Sequence, residues 1–112
     1  MIQVKQLEKD FGYTVYTMTN AESTVKDGYT SDLLSDVMGN AEEGSALITI
    51  QAHKNTVAVA TLIGMPVIIL CNDRIPTDDM VTSAKAENVA VVGTHENQFT
   101  VSYRLAKALG KI

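Results

Sequence analysis

Three side chains of this 112-residue sequence belong to types that bind metals or act as nucleophile and base: His53, Cys71 and His95. A thiolate with two imidazoles is a workable zinc ligand set, and a cysteine beside a histidine can attack a carbonyl group. No two of the three share the short spacing of a preformed metal site, and no third residue stands at a recognisable distance to orient a Cys–His couple. They read as a buried, inert thiol and two solvated histidines, with no metal, no cofactor and no catalytic residue. Asp32 and Asp36, four residues apart, would share one face of a helix. Such a pair is more often a cap and a solvated charge than a general acid and base. The phosphate loop Gly-x-x-x-x-Gly-Lys-Ser/Thr, the dinucleotide fingerprint Gly-x-Gly-x-x-Gly and the Gly-x-Ser-x-Gly elbow are all missing. The usual signatures of phosphoryl transfer, dinucleotide chemistry and ester hydrolysis go with them, so binding rather than catalysis is expected.

The elements that must position these residues are clearest after Ser45. Residues 46–50, 67–70 and 89–92 are nearly continuous β-branched and aliphatic runs, the pattern of strands buried on both faces. Each precedes a helical segment, 55–63, 77–88 and 97–109, and this alternation implies right-handed crossovers and a parallel sheet. Thr77 can cap its helix ahead of Asp78 and Asp79, and the last helix closes on Lys107 and Gly110. Upstream, Val4, Leu7 and Phe11 are spaced as a short helix ending at Gly12, a strand follows over 14–18, and 19–27 is a polar stretch. Between Gly28 and Ala41 a helix is expected, capped by Ser31 or Asp32, with Leu33, Leu34, Val37, Met38 and Ala41 on its apolar face. The expected fold is α/β, a three-layer α/β/α-type domain with a mainly parallel sheet, occupying 1–112 as one domain. Its core is predicted to hold Leu47, Ile48, Ile50, Val57, Ala60, Val67, Ile69, Val89, Val91, Phe99 and Leu105.

In an open parallel sheet, ligands bind beyond the carboxyl ends of the strands, where loops enter helix N-termini rich in free N–H groups. Gln51, His53, Lys54 and Asn55 follow the first of these strands, Cys71, Asn72, Asp73 and Arg74 the second, and Gly93, Thr94 and His95 the third. Both histidines, Lys54 and Arg74 thus fall on one rim, a locally cationic edge on a chain of net charge −4. That edge suits a nucleotide or phosphometabolite. Ordinary loop polarity accounts for the same residues, since strand-end loops are polar whether or not they bind anything.

The lack of any Lys/Arg run argues against nucleic acid and anionic membrane surfaces. The apolar run 56–71, broken by Gly64 and Pro66, falls short of the roughly 20 residues of a spanning helix. The first eight residues mix charged with apolar side chains, unlike a secretory signal. A single cysteine forms no disulfide or iron–sulfur cluster within one chain and fits a reducing cytoplasm.

Residues 28–38, Gly-Tyr-Thr-Ser-Asp-Leu-Leu-Ser-Asp-Val-Met, followed by 48–60, Ile-Thr-Ile-Gln-Ala-His-Lys-Asn-Thr-Val-Ala-Val-Ala, resemble the DRTGG domain family. The order of elements through Phe99 to Leu109 fits it as well. The likeness covers nearly the whole chain and is most specific between Gly28 and Ala60. It looks like the free-standing members, some of which carry the labels HPr serine kinase homologue or iron–sulfur hydrogenase-associated protein. Other members are segments joined to CBS-containing pyrophosphatases or to phosphotransacetylases, and the fold is similar to the N-terminal domain of HPr kinase/phosphorylase. A kinase needs the missing phosphate loop and a cluster protein needs more than Cys71, so neither enzyme label fits. The chain also departs from the naming motif: Gln51-Ala52 stand where Asp-Arg is expected, and Cys71-Asn72-Asp73 where Thr-Gly-Gly is expected. Side chains then fill a rim that glycines would leave open.

The resemblance implies a regulatory or dimerising module, and two functions follow. One is a sensor in which Asp32, Gln51, His53, Asn55, Asn72, Arg74 and His95 hold a small anionic ligand. The other is an interaction module without a ligand, forming a homodimer or docking on a metabolic or hydrogenase-related enzyme.

Overall fold

In the computed structural model, which describes residues 1–112, the chain runs in order through β1 (Ile2–Gln3), α1 (Gln6–Lys9), β2 (Thr14–Thr17), β3 (Thr24–Val25), β4 (Asp27–Thr30) and α2 (Leu34–Asn40). It continues through β5 (Ser45–Thr49), α3 (Lys54–Ile63), β6 (Val67–Leu70), α4 (Asp78–Ala86), β7 (Ala90–Gly93) and α5 (Gln98–Ala108). A five-stranded sheet has the order β2-β7-β6-β5-β4 and is parallel except for β2, which pairs antiparallel with β7. Strands β1 and β3 form a separate antiparallel ribbon.

Every residue of β5, β6 and β7 is buried, and their register sorts the side chains into two cores. Ile48, Ile69 and Val92 lie abreast and pack with Leu7, Val101 and Leu105 from α1 and α5. Leu47, Ile68 and Val91, one residue earlier along each strand, pack on the opposite face with Val37, Val57 and Met80 from α2, α3 and α4. Each such aliphatic side chain contributes roughly 1.5–3 kcal/mol when fully buried, so a slip of one residue would exchange both cores. Helices α2, α3 and α4 all cover the second face as the chain steps from β4 to β7, and α5 then crosses back to cover β4 and β5 on the first. The result is the expected three-layer, mainly parallel α/β architecture.

The N-terminal third differs from expectation. Residues 28–30, expected to lead into a helix, form part of the edge strand β4, paired in parallel with β5. Gly28 permits this, because a Cβ there would lie 2.8 Å from Leu105 Cδ2. The two-residue strand β1 precedes the segment read as helix, and its partner β3 lies in the stretch read as polar loop. The first helix shrinks to Gln6–Lys9. Helix α2 buries only Val37, leaving Leu33 64 % and Met38 46 % exposed.

Within the predicted core, Leu47, Ile48, Val57, Ala60, Val67, Ile69, Val89, Val91 and Leu105 are buried. Ile50 is half-buried, and Phe99 is 79 % exposed. Phe99 is corrected by helix geometry: the buried stripe of α5 is Val101 and Leu105, and two residues of α-helix turn Phe99 about 200° from Val101, to the outer face. No helix is long and apolar enough to cross a membrane.

Leu105→Ala is therefore expected to lower unfolding free energy by about 2–5 kcal/mol. Phe99→Ala, measured at concentrations where the chain is monomeric, should stay within about 0.5 kcal/mol of the parent. Urea unfolding of the two variants measures this, and equal losses would contradict the assigned faces of α5.

Candidate functional site

Strands with two buried faces carry their polar side chains at their ends, and here the carboxyl ends of β4 to β7 meet the start of β2 along one rim. Asp32, just past β4, organises one part of it. Its Oδ1 accepts from Thr49 Oγ1 at 2.9 Å, Ile50 N at 2.9 Å and Gln98 Nε2 at 3.0 Å, so β4, β5 and α5 share one acceptor. Its carbonyl accepts from Gln51 Nε2 at 2.8 Å, and Gln51 Oε1 lies 3.0 Å from His53 Nε2. An amide oxygen only accepts, so this arrangement assigns the His53 proton to Nε2.

Asp32 is consequently not the cap of α2. Leu33 holds the N-cap position without a side-chain cap bond, and Asp32 lies outside the helix, so Asp32 and Asp36 do not share a helical face. Asp36 instead accepts from the Tyr29 hydroxyl at 2.9 Å and from Asn40 Nδ2 at 3.0 Å. Hydrogen bonds from Ser31, then Tyr29 and Asn40, hold its carboxyl below the ordinary range.

Arg74 and His95 occupy a different part of the rim. With Asp73, Phe11, Tyr13 and Tyr16 they line a recess of about 180 Å³ between the start of β2 and the end of β7. Glu96 also lines it, but both its oxygens are engaged: Oε1 accepts from the Tyr13 hydroxyl at 2.7 Å and Oε2 from Arg104. Burial, then the hydrogen bond to Glu96, push the Tyr13 hydroxyl well above its ordinary range. The Arg104 guanidinium covers the Phe11 ring at 4.9 Å from its centroid. Arg74 takes part in no ion pair; those of the chain are Lys5–Glu22, Arg104–Glu96 and Lys111–Asp27.

The loop that presents Arg74 has two consecutive left-handed residues, Asn72 at φ 58° and Asp73 at φ 57°. Asparagine and aspartate tolerate that region better than other side chains. The Asn72 N–H donates to Glu96 O at 2.9 Å and the Asp73 N–H to Thr94 O at 3.0 Å, which ties this loop to the one after β7. Backbone donors expected after His95 are partly consumed too: Glu96 N bonds Thr94 Oγ1, and Thr100 N bonds the capping Asn97 side chain.

The seven rim residues thus fall into separate groups. Asp32, Gln51 and His53 are linked to one another, and Arg74 and His95 share the recess. Asn55 lines an open depression with His53, Lys54, Thr77 and Asp79, while Asn72 is exposed on the loop between. Cys71 is fully buried in the core beneath α5, its Sγ 3.9 Å from Ile69 O. Burial, reinforced by the charges of Asp32 and Glu96, pushes its thiol up to about 12, so it is no thiolate at neutral pH. Cys71, His53 and His95 do not converge, and no group of three His, Cys, Asp or Glu side chains is arranged to hold a metal ion. Sequence reasoning passed over Thr49, Gln98, Tyr13, Tyr16 and Glu96. The partners in the bonds Asp32–Gln98 and Tyr13–Glu96 are 66 and 83 residues apart, beyond any local pattern.

No protein-family model matches this chain, and no curated protein sequence does. Among solved structures it is similar to the CBS and DRTGG domains of the regulatory region of a Clostridium perfringens pyrophosphatase, complexed with the activator diadenosine tetraphosphate. The TM-score is 0.68 at 13 % identity, over 90 % of this chain and 44 % of that one. The chain therefore spans less than half the length of that neighbour, and the likeness is one of fold.

Asp32→Ala removes an acceptor shared by three elements and is expected to cost about 1.5–3 kcal/mol of stability. Asp32→Asn keeps an oxygen at the same place and should cost only about 0.5–1.5 kcal/mol. Thermal or urea unfolding separates the two, and equal losses would mean that the negative charge, rather than the shared acceptor, matters.

Proposed function

We propose that this chain, acting as one domain over 1–112, is a non-catalytic regulatory domain that binds a small anionic ligand on its rim. The observation that carries this reading is the Arg74 guanidinium, free of any ion pair, beside His95 at the recess. A guanidinium without a carboxylate partner offers a forked, charge-assisted donor to phosphate or carboxylate. Of the two carboxylates lining the recess, Glu96 has its charge offset by Arg104, and Asp73 takes part in no ion pair. Asp32, Gln51, His53, Asn55 and Asn72 form the adjoining rim of the proposed site. The fold neighbour supports the reading in kind, since it belongs to a regulatory region and was captured with an activator nucleotide.

Association with a second copy belongs to the same proposal. Phe99 and Tyr103, 79 % and 47 % exposed, pack edge-on at 5.8 Å between ring centroids on the outer face of α5, and the outer side of edge strand β4 is unpaired. Light scattering is expected to give twice the 12.1 kDa chain mass, and Phe99→Asp to reduce it to the monomer. A wild-type monomer at working concentration would remove the homodimer and leave docking on a partner enzyme as the interaction reading.

Ligand binding is tested by thermal shift against nucleotides and phosphometabolites, followed by titration calorimetry of any hit. Arg74→Ala should weaken the affinity by about 1.5–3 kcal/mol, roughly ten- to a hundredfold, and added salt should weaken the wild type. A ligand whose affinity ignores Arg74→Ala, His95→Ala and salt would sink the cationic-rim mechanism.

A further inference from the structure

The recess beside Arg74 is not only cationic. The chain has four tyrosines, two phenylalanines and no tryptophan, and Phe11, Tyr13 and Tyr16 all line this recess. Phe11 and Tyr13 form one wall, packed edge to face at 5.3 Å between centroids. That wall is held from behind, because Arg104 covers the Phe11 ring and the Tyr13 hydroxyl is bonded to Glu96. Tyr16 is a second, half-buried ring whose far end lies across Gly93. A Cβ at Gly93 would stand 2.7 Å from Tyr16 Cε2 and 3.4 Å from its Oη, so the missing side chain is what lets the ring lie there. The backbone of Gly93 is ordinary strand, paired with Thr14 and Leu70, and requires no glycine.

Aromatic rings with adaptable polar groups at one end recognise planar heterocycles by stacking, and a free guanidinium at the mouth recognises an anion. The volume of about 180 Å³ is below the roughly 300–1,000 Å³ of sites that enclose a drug-sized ligand. It accommodates one part of a nucleotide and leaves the rest outside. From this geometry we infer that the recess is a base slot: it takes the planar heterocycle of a nucleoside phosphate against Tyr16, with the phosphate reaching Arg74 and His95. This inference rests on the proposed anion-binding rim and adds a ligand class to it, nucleoside phosphates over phosphometabolites without a ring system. The charged and titratable groups facing the slot are Asp73, Arg74, His95, Glu96, Tyr13 and Tyr16 itself. Of these, Glu96 and Tyr13 are bonded to each other and Glu96 also to Arg104, Asp73 is a carboxylate in no ion pair, and Arg74 and His95 are the donors left to meet the phosphate.

The test compares adenosine 5′-monophosphate with ribose 5-phosphate by titration calorimetry on the full chain, with Tyr16→Leu and Gly93→Ala beside the wild type. The wild type should bind the nucleotide about five- to 150-fold more tightly, the range expected for stacking one base. Both variants should bring that ratio near one while leaving ribose 5-phosphate binding unchanged; Gly93→Ala acts by displacing the Tyr16 ring and keeps every core side chain, so it carries the comparison if Tyr16→Leu fails to fold. Arg74→Ala should weaken both ligands alike. Equal wild-type affinities for the two ligands would overturn the base slot and leave the anion rim standing. A preference for the nucleotide that survives both slot variants would place the base elsewhere and overturn it too. Failure of both ligands to bind the wild type would overturn slot and rim together.

Discussion

Strands β5, β6 and β7 are buried along their whole length on both faces, and the remaining structure is arranged around that constraint. A polar group on either face would have to be buried with its hydrogen bonds met, so the interior faces are aliphatic and polar chemistry is displaced to the strand ends. Two cores, separated by the thickness of a sheet, then require helices on both sides. Three crossovers on one face use up α2, α3 and α4, and the other is covered by the return of α5 across the rim together with α1 and the β1–β3 ribbon. The loop that makes that return, between Gly93 and Gln98, carries His95, Glu96 and the cap Asn97 past the end of β6.

That return loop explains how the rim divides its polar groups. Gln98, at the start of α5, reaches Asp32 beyond β4, while Glu96 stays beside β7 with Tyr13 and Arg104. Two carboxylates are thereby committed to holding loops together, one by accepting three hydrogen bonds and the other by a half-buried ion pair. Half-buried pairs of this kind are costly to break from one side, which keeps the geometry of the return loop fixed. Arg74 lies on the neighbouring loop, which is bound to the return loop through the N–H groups of Asn72 and Asp73. Part of the negative charge on this rim is neutralised within the fold, by Arg104 on Glu96.

The likeness to the CBS and DRTGG region concerns the path of the backbone, and at 13 % identity it leaves the side chains of the rim to be judged on their own. Here Gln51 and His53 extend the Asp32 network, and Cys71, sealed in the core, contributes packing rather than reactivity. The glycine that opens space on this rim is Gly93, and an aromatic ring takes that space.

What the sequence determined by itself was the sheet from β5 onward, because runs such as 46–50 and 67–70 pattern over a few residues and each is followed by a helical segment. Thr77, read as a cap, does accept from Met80 N, a contact within three residues that spacing alone reveals, and Asn97 proves to cap α5 through Thr100 N in the same way. The rim was legible as a place, since strand-end loops follow directly from the strands. Its grouping was not. Asp32 was free to be a cap by every local rule, and it became a hub for Gln98 only because α5 crosses over β4, a fact of topology rather than of neighbouring residues. Phe99 had the composition of a core residue, but which face of α5 turns inward, the one carrying Val101 and Leu105, was decided by packing on the sheet. Edge strand β4 was hidden because Asp27–Thr30 is short and polar, and it forms through pairing with β5 and the space Gly28 leaves for Leu105. Local periodicity carries information over one turn or one strand; contacts closed across more than sixty residues are decided only when the whole sheet has been assembled.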